Sequence, residues 1–145
     1  MEIGKKIGEI QVGDKASFAK TITEVDIYFY AGISGDFNPL HMNREYTKKT
    51  KFGRRIAHGP ISIAMVATVF GTKLPGLGTL AREMSVQFTS PIFIGDTITA
   101  EVEVIEKIVE RNIVKLKFTC TNQHGTVVTK GLGVMMPPLA KFRDQ

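Results

Sequence analysis

The segment HGPISIAMVATVFGTKL, residues 58–74, constrains the fold of this chain more than any other part of the sequence. Pro60 is tolerated in a first helical turn, and the helix that it opens stays apolar on every face until Gly71. Such a helix must be surrounded by other parts of the molecule. It is too short to span a bilayer, which takes about 20 apolar residues. The rest of the chain is therefore expected to cover it.

The second half of the sequence predicts the strands of such a cover. Apolar and polar residues alternate over residues 97–104 and again over 114–120, and a period of two is typical of half-buried strands. Residues 84–90 predict an earlier strand, and a turn at 122–125 leads to a last strand over 126–136. A sheet with one apolar face can wrap an apolar helix, and this is one of several α+β arrangements that the pattern permits.

The first half predicts helices and loops. Thr23 fits the N-cap of a helix over 24–33, and Asn43 fits the N-cap of a short helix over 45–50. Neither a Pro/Ser-rich linker nor a repeat separates the two halves. Residues 1–145 are therefore expected to form a single domain.

The composition and charge of the chain predict its cellular location and the class of its binding partner. The N-terminal residues lack a signal-peptide pattern, so we expect a cytoplasmic protein that no membrane anchors. The net charge of +5 favours an anionic partner. We do not expect nucleic acid, because long Lys/Arg runs and a helix-turn-helix pattern are lacking, whereas a phosphorylated small molecule fits the charge.

Chemistry is predicted in the loop YAGISGDFNPLH, residues 30–41, and at Gly59. Asp36 and His41 share this loop, and a carboxylate beside an imidazole can activate a water molecule. Gly59 precedes the apolar helix, whose first amide groups lack intrahelical acceptors and can stabilise a developing negative charge. Taken alone, an Asp and a His five positions apart also fit a turn-capping pair.

The loop resembles the hydratase motif of MaoC-like proteins, in which an aromatic residue leads into Ser/Thr-Gly-Asp-x-Asn-Pro-aliphatic-His. The matching residues are Tyr30, Ser34, Gly35, Asp36, Asn38, Pro39, Leu40 and His41. The later stretches AHGP, residues 57–60, and PIFIGDTITAEVEV, residues 91–104, resemble the same family. The similarity covers residues 10 to 137.

The resemblance implies a hot-dog fold, an antiparallel sheet around a central helix, that binds acyl-CoA. It implies reversible (R)-specific hydration of trans-2-enoyl-CoA to (R)-3-hydroxyacyl-CoA, with neither metal nor other cofactor. Asp36 and His41 would be the catalytic pair, and the Gly59 amide would hold the thioester oxygen. Asn38 would brace the loop. Where some members carry a serine in the central helix, this chain has Ala67.

Further contacts with the substrate are expected from Asn38, from His58 and from basic side chains. Those that are candidates for the phosphates of CoA are Arg82 and the group Arg44, Lys48, Lys49, Lys51, Arg54 and Arg55. A solvated, positively charged face is the alternative interpretation of this group. Exposed edge strands of a small sheet, together with the resemblance, predict a homodimer or a dimer of dimers.

Other polar residues are interpreted as structural. Cys120 fits a buried core thiol, Ser34 and Ser62 fit structural hydroxyls, and His124 fits an exposed turn. A metal site formed by Asp36, His41 and His58 is not expected, because regular ligand spacing is lacking.

Three other functions stay open on the sequence. A hot-dog thioesterase would direct water to C1 of the thioester instead of C3. An acyl-carrier-protein dehydratase with an acid on the central helix is disfavoured, since residues 56–80 contain neither Asp nor Glu, although carrier-protein substrates remain open for the MaoC-like site itself. An acyl-CoA-binding module without turnover is the third.

Overall fold

The apolar helix lies against one face of a five-stranded antiparallel sheet in the computed structural model, which describes residues 3–139. The strands are β1 (Lys15–Thr21), β2 (Leu80–Phe88), β3 (Thr97–Ile108), β4 (Ile113–Thr121) and β5 (Val127–Met136). The helices are α1 (Glu24–Ser34), α2 (Pro39–Met42), α3 (Arg44–Thr47) and α4 (Pro60–Thr72), with 3₁₀ turns at Ile7–Glu9 and Val109–Arg111. The predicted α+β hot-dog arrangement, a sheet wrapped around a central helix, is confirmed.

The sheet has the order β1-β3-β4-β5-β2, with every neighbouring pair antiparallel. Its inner face and α4 share one apolar core, in which the rings of Phe70 and Phe118 meet edge to face. The buried residues of α4 are Ile61, Ser62, Met65, Val66, Val69 and Phe70. Cys120 belongs to the same core, and burial raises the pKa of its thiol to about 12. This agrees with the interpretation of Cys120 as a structural thiol.

Strand β1 was not predicted. It pairs along its length with β3, with Phe18 opposite Ala100, and it forms one edge of the sheet. Burial alternates along β1, but its inward residues Ala16 and Phe18 are only half-buried. An edge strand with so little apolar surface gives a weak signal in the sequence.

The helix ends follow local hydrogen bonds. Thr23 caps α1 as predicted, and the Asp26 carboxylate accepts a hydrogen bond from the Thr23 backbone N–H at 2.8 Å. Asn43 caps α3, although this helix begins one residue earlier than expected and ends at Thr47. The boundaries of the predicted strands differ from the observed ones by up to four residues, and β2, for example, begins at Leu80 instead of residue 84. The prediction for residues 1–145 includes residues 1–2 and 140–145, which lie outside the described part.

One side of α4 is left open by the chain itself. Ala64, Ala67 and Thr68 are exposed, although the sequence predicts a surrounded helix. Among the described strands, β2 lies at the edge of the sheet and pairs only with β5, and its Phe88 is 56% exposed. The described chain therefore covers only part of its apolar helix.

No helix among residues 3–139 has both the length and the apolar character needed to cross a membrane.

Candidate active site

The loop after α1 presents one oxygen of Asp36. Gly35 ends the helix in the left-handed conformation, with φ 74°, and the Asp36 backbone N–H then donates to the Ser34 hydroxyl. The Asp36 Oδ1 atom accepts from the Asn38 backbone N–H at 3.1 Å, and Asn38 Oδ1 accepts from Leu40 N–H at 3.0 Å. These short turns hold the carboxylate with Oδ2 free of them. Asn38 thus has the loop contacts that a bracing role requires.

His41, in α2, has a defined proton arrangement. Its Nδ1 lies 2.8 Å from the carbonyl oxygen of Ile56, and a carbonyl oxygen only accepts, so Nδ1 carries the proton in the neutral ring. Nε2 therefore presents a lone pair. This atom lies 4.0 Å from Asp36 Oδ2. The pair predicted from the sequence is brought together, at a distance longer than a direct hydrogen bond.

The two acceptor atoms, His41 Nε2 and Asp36 Oδ2, restrict which molecules can bridge them. Neither neutral His41 Nε2 nor the Asp36 carboxylate can donate, so a molecule that bridges them must supply two protons. Water does, because one O–H can point to each acceptor. Its oxygen then keeps its lone pairs for another partner. The geometry therefore suits activation of one water as a nucleophile.

His58 supports this pair from behind. Its side chain is fully buried, whereas that of His41 is 12% exposed and that of Asp36 is 47% exposed. Its Nε2 donates to the backbone oxygen of Asp36 at 2.9 Å. Its ring packs at a tilt against those of His41 and Tyr30, with interplanar angles of 34° and 43° and centroids 3.9 and 4.7 Å away. Burial lowers the pKa of His58, with a smaller lowering from His41. His58 lies in the wall beneath the pair and not on its surface.

Gly59 offers one amide at the start of α4. Pro60 has no N–H, Ile61 N–H donates to the His58 carbonyl, and Ser62 N–H donates to the Gly59 carbonyl. Within residues 3–139, the Gly59 N–H has no hydrogen-bond acceptor. A Cβ at Gly59 would lie 2.9 Å from the ring of Phe88. The free amide and the missing side chain agree with the predicted role of Gly59.

A cavity of about 420 Å³ joins His41 to Gly59. Its walls are largely apolar, with Phe52, Ile56, Ile92 and Phe88 among them, and Thr129 adds a hydroxyl. Lys51 also lines it. An elongated apolar ligand with a carbonyl group fits this combination of walls and donor.

The predicted basic residues are divided by the structure. Lys51 lies at the cavity, whereas Arg44, Lys48, Arg54 and Arg55 line a separate pocket of about 280 Å³. Arg55 pairs there with Glu24. Lys49 is exposed in the turn after α3 and lines neither pocket.

Arg82 is not brought to the site within one chain. It lies on β2 at an irregularity in the register, six residues from Phe88, and this is roughly 20 Å along a strand. Its guanidinium contacts the sulfur of Met136. Arg82 therefore does not line the cavity that holds His41 and Gly59.

Asp36, His41 and His58 have ligand atoms within 4.8 Å of one another, so their residue types suit a metal ion. The hydrogen bonds do not favour one. Nε2 of His58 donates to the Asp36 carbonyl and presents no lone pair there. A metal would have to displace that bond, and the expectation of no metal stays a prediction.

The sequence did not single out Phe88 and Thr129, two of the residues that line the cavity. Phe88 was predicted only as part of a strand, and Thr129 was not singled out. Both are ordinary strand residues in the sequence, and only the sheet register places them beside Gly59. Ser62 was interpreted as a structural hydroxyl, and it bonds to both Gly59 and Thr129.

The chain is similar to known hydratases along most of its length. Residues 8–126 match the family model described as MaoC like domain. The chain is 45% identical over 130 residues to the (R)-specific enoyl-CoA hydratase of Rhodospirillum rubrum, covering 90% of each chain. Superposition on R-hydratase PhaJ1 from Pseudomonas aeruginosa, in the unliganded form, gives a TM-score of 0.88 with 35% identity over 98% of this chain and 96% of that chain. The (R)-hydratase from A. caviae gives 0.86 with 33% identity over 89% and 98%.

Proposed function

Since this chain belongs to the MaoC-like domain family, we propose that it is a hydro-lyase that adds water to trans-2-enoyl-CoA and forms (R)-3-hydroxyacyl-CoA, or reverses this reaction. One observation carries the proposal. Two acceptor atoms, Asp36 Oδ2 and His41 Nε2, lie 4.0 Å apart, and His41 shares its cavity with the free Gly59 amide. The relatives named as (R)-specific hydratases support the same reaction and product.

The reaction follows from the protons that each group can hold. A water that donates to both Asp36 and His41 attacks C3 of the enoyl thioester, and the pair takes up one of its protons. The electrons of the C2–C3 double bond move toward the thioester oxygen, where the Gly59 N–H stabilises the enolate-like charge. Return of one proton to C2 completes the addition. All atoms of water then reside in the product, and no redox change occurs.

His58 and Asn38 hold the pair and the loop in this proposal. His58 donates to the Asp36 backbone, and its neutral ring packs against that of His41. Asn38 caps α2 through Leu40. Neither side chain needs to bond to the substrate for the catalytic pair to be oriented, so we place both as supports.

The phosphates of CoA find positive charge close to the cavity. Lys51 lines the cavity itself and is therefore the first candidate. Arg44, Lys48 and Arg54 lie around the neighbouring pocket. The same charges would attract an acidic carrier protein, so relative kcat/KM for crotonyl-CoA and crotonyl-acyl-carrier-protein decides between the two carriers.

We propose that a second copy covers the open side of α4. The exposed Ala64 and Ala67 lie on this side, and β2 has one unpaired edge. Exposed apolar residues and an unpaired edge strand favour association. Light scattering at micromolar concentration should give at least twice the chain mass of 16.0 kDa. A 16.0 kDa species alone would contradict the dimer.

The function is tested with crotonyl-CoA. Loss of the conjugated enoyl-thioester absorbance reports hydration, and chiral analysis of the product should give the (R) alcohol. A parallel sample with a thiol reagent reports hydrolysis. Free thiol without hydration would favour a thioesterase, and tight binding without either change would favour a binding module. Activity is expected to survive dialysis against a chelator.

A further inference from the structure

Two buried hydroxyl groups form a directed chain that ends at Gly59. The Ser62 hydroxyl donates to the Gly59 carbonyl oxygen at 2.7 Å, and Ser62 Oγ lies 2.8 Å from Thr129 Oγ1. Ser62 has one hydroxyl proton, and the carbonyl takes it. Thr129 must therefore donate to Ser62. The proton order runs from Thr129 through Ser62 to Gly59.

Burying these two hydroxyl groups costs free energy of folding that apolar side chains would not cost. Ser62 and Thr129 are both 0% exposed, on facing surfaces of α4 and β5 in an otherwise apolar core. A buried hydroxyl gives up its bonds to water, and apolar residues of the same shape would fill the space without that cost. Among residues 3–139, the hydrogen bonds of these two hydroxyls only link β5 to the carbonyl of Gly59. Their contribution is therefore concentrated at that residue.

The backbone N–H of Gly59 needs a fixed orientation for its proposed role. A glycine has the widest backbone freedom, and the angle of its amide decides whether the N–H points at a thioester oxygen. On the N-terminal side, the buried His58 ring anchors the chain to Asp36. On the C-terminal side, Pro60 fixes only its own φ, and the Ser62 hydroxyl holds the Gly59 carbonyl. Gly59 is thus held on both sides.

We propose that Ser62 and Thr129 are positioning residues for the hydration reaction, because they fix the direction of the Gly59 amide. This inference rests on the proposed function. Thr129 also lines the cavity, but its single proton is committed to Ser62, so it offers only lone pairs there. Lone pairs cannot stabilise an oxyanion. The pair therefore acts through the Gly59 amide and not as a second oxyanion donor.

The test compares variants that keep shape with variants that keep the hydroxyl. Thr129→Val removes the donor at nearly constant volume, and Thr129→Ser retains it. We expect Thr129→Val and Ser62→Ala each to lower kcat for crotonyl-CoA about tenfold with KM changed less than twofold, because a misaimed donor is lost mainly in the transition state. Thr129→Ser should keep kcat within about twofold of the wild type. The double variant Ser62→Ala/Thr129→Val should be little worse than either single variant, since both belong to one chain.

A second measurement reports the amide directly. Acetoacetyl-CoA forms an enolate whose charge lies partly on the thioester oxygen, and its ultraviolet absorbance gives the bound enolate fraction. A well-aimed Gly59 N–H favours the enolate, so this fraction should fall in Thr129→Val and recover in Thr129→Ser. A purely structural hydroxyl would alter the melting temperature and leave the enolate fraction unchanged.

Thr72→Val is the matched control. The Thr72 hydroxyl donates to the Thr68 carbonyl at 2.7 Å, at the other end of the same helix, and its loss should leave kcat and the enolate fraction unchanged. An active wild type with unchanged kcat and enolate fraction in Thr129→Val would overturn this inference alone. A wild type without hydratase activity would overturn the proposed function, and this inference with it.

Discussion

The parts of the molecule before and after Gly59 differ in polarity and in exposure to solvent. Past Gly59, the inner side of α4 is apolar and closed, with Val66 and Val69 at 0% exposure against the sheet. Before Gly59, the loop side is polar and graded, from buried His58 to half-exposed Asp36. The closed side is built for stability, whereas the loop side keeps acceptors unsatisfied near a cavity. Apart from Ser62 and Thr129, whose hydroxyls reach Gly59, a substitution on the closed side should therefore affect mainly stability, and one on the loop side mainly turnover.

The neighbouring imidazole rings of His41 and His58 also differ, in the nitrogen atom through which each ring forms its hydrogen bond. His41 bonds through Nδ1 and leaves Nε2 toward Asp36. His58 bonds through Nε2, and its buried Nδ1 has no hydrogen-bond partner in the described part of the chain. In the proposed reaction the same kind of ring would act as a base in one position and as a support in the other. Backbone acceptors, not residue type, set the difference.

The largest effect is expected at the catalytic pair. Asp36→Asn and His41→Gln should each lower kcat about 10²–10⁴-fold, the range of general acid–base assistance, with near-native stability. The two share one water, so the double variant should lose little more than either single variant. Kinetics with crotonyl-CoA and thermal melting of all three proteins measure this. Near-full activity in Asp36→Asn would remove the pair from the mechanism, and additive losses would separate the two roles.

Gly59→Val should follow, with a loss of about 10²–10³-fold in kcat, as for removal of one oxyanion donor. The new Cβ would lie 2.9 Å from the Phe88 ring, so the amide or the ring must shift. Gly71→Ala is the control in the same helix, because a Cβ there meets nothing within 4 Å. Steady-state kinetics of the two variants, with melting curves, separate the effects. Full turnover in folded Gly59→Val would place the oxyanion hole elsewhere.

These two sites also show what the sequence can predict. Periodicity predicts the strands over 97–104 and 114–120, and the loop motif predicts that Asp36 and His41 meet. The sequence could not predict strand β1, whose inward side is only half-buried, or the partnership of Ser62 with Thr129, 67 positions apart. The Ser62–Thr129 contact depends on how α4 packs against the sheet, and local sequence patterns do not fix that packing. The open side of α4 was also missed, because an apolar pattern does not say which molecule covers it.

On the closed side, Leu116→Ala should destabilise the fold by about 2–5 kcal/mol, since it empties part of a packed core. Leu116 lies on β4 at 0% exposure, and it contacts neither Asp36 nor Gly59 through a hydrogen bond. Urea unfolding measures the loss of stability. Turnover per folded molecule should stay near that of the wild type, and a loss comparable to that of His41→Gln would break the contrast between the two sides.

The free energy of unfolding should depend on pH through the buried His58. Burial holds its pKa in the folded protein below the ordinary value of 6.5, so the unfolded chain binds the proton more readily. The stability that the neutral ring contributes is complete above about pH 6.5 and is lost as the pH falls toward the folded pKa. His58→Phe cannot take up this proton. The free energy of unfolding, measured in urea from pH 7.5 to 5, should fall less steeply in this variant, and equal slopes would contradict the assignment.

The smallest effect is expected at Lys51, where the loop side meets solvent. An exposed cation attracts a phosphate by only about 0.2–1 kcal/mol, so Lys51→Ala should raise KM for crotonyl-CoA by about 1.5- to 5-fold with kcat unchanged. The increase should shrink at high salt, and it should vanish with crotonyl-pantetheine, which lacks phosphates. Lys115→Ala is the charge-matched control, because Lys115 pairs with Glu106 on the sheet and does not line the cavity. If Lys51→Ala raises KM equally for both substrates, Lys51 acts on the shape of the cavity and not on the phosphates.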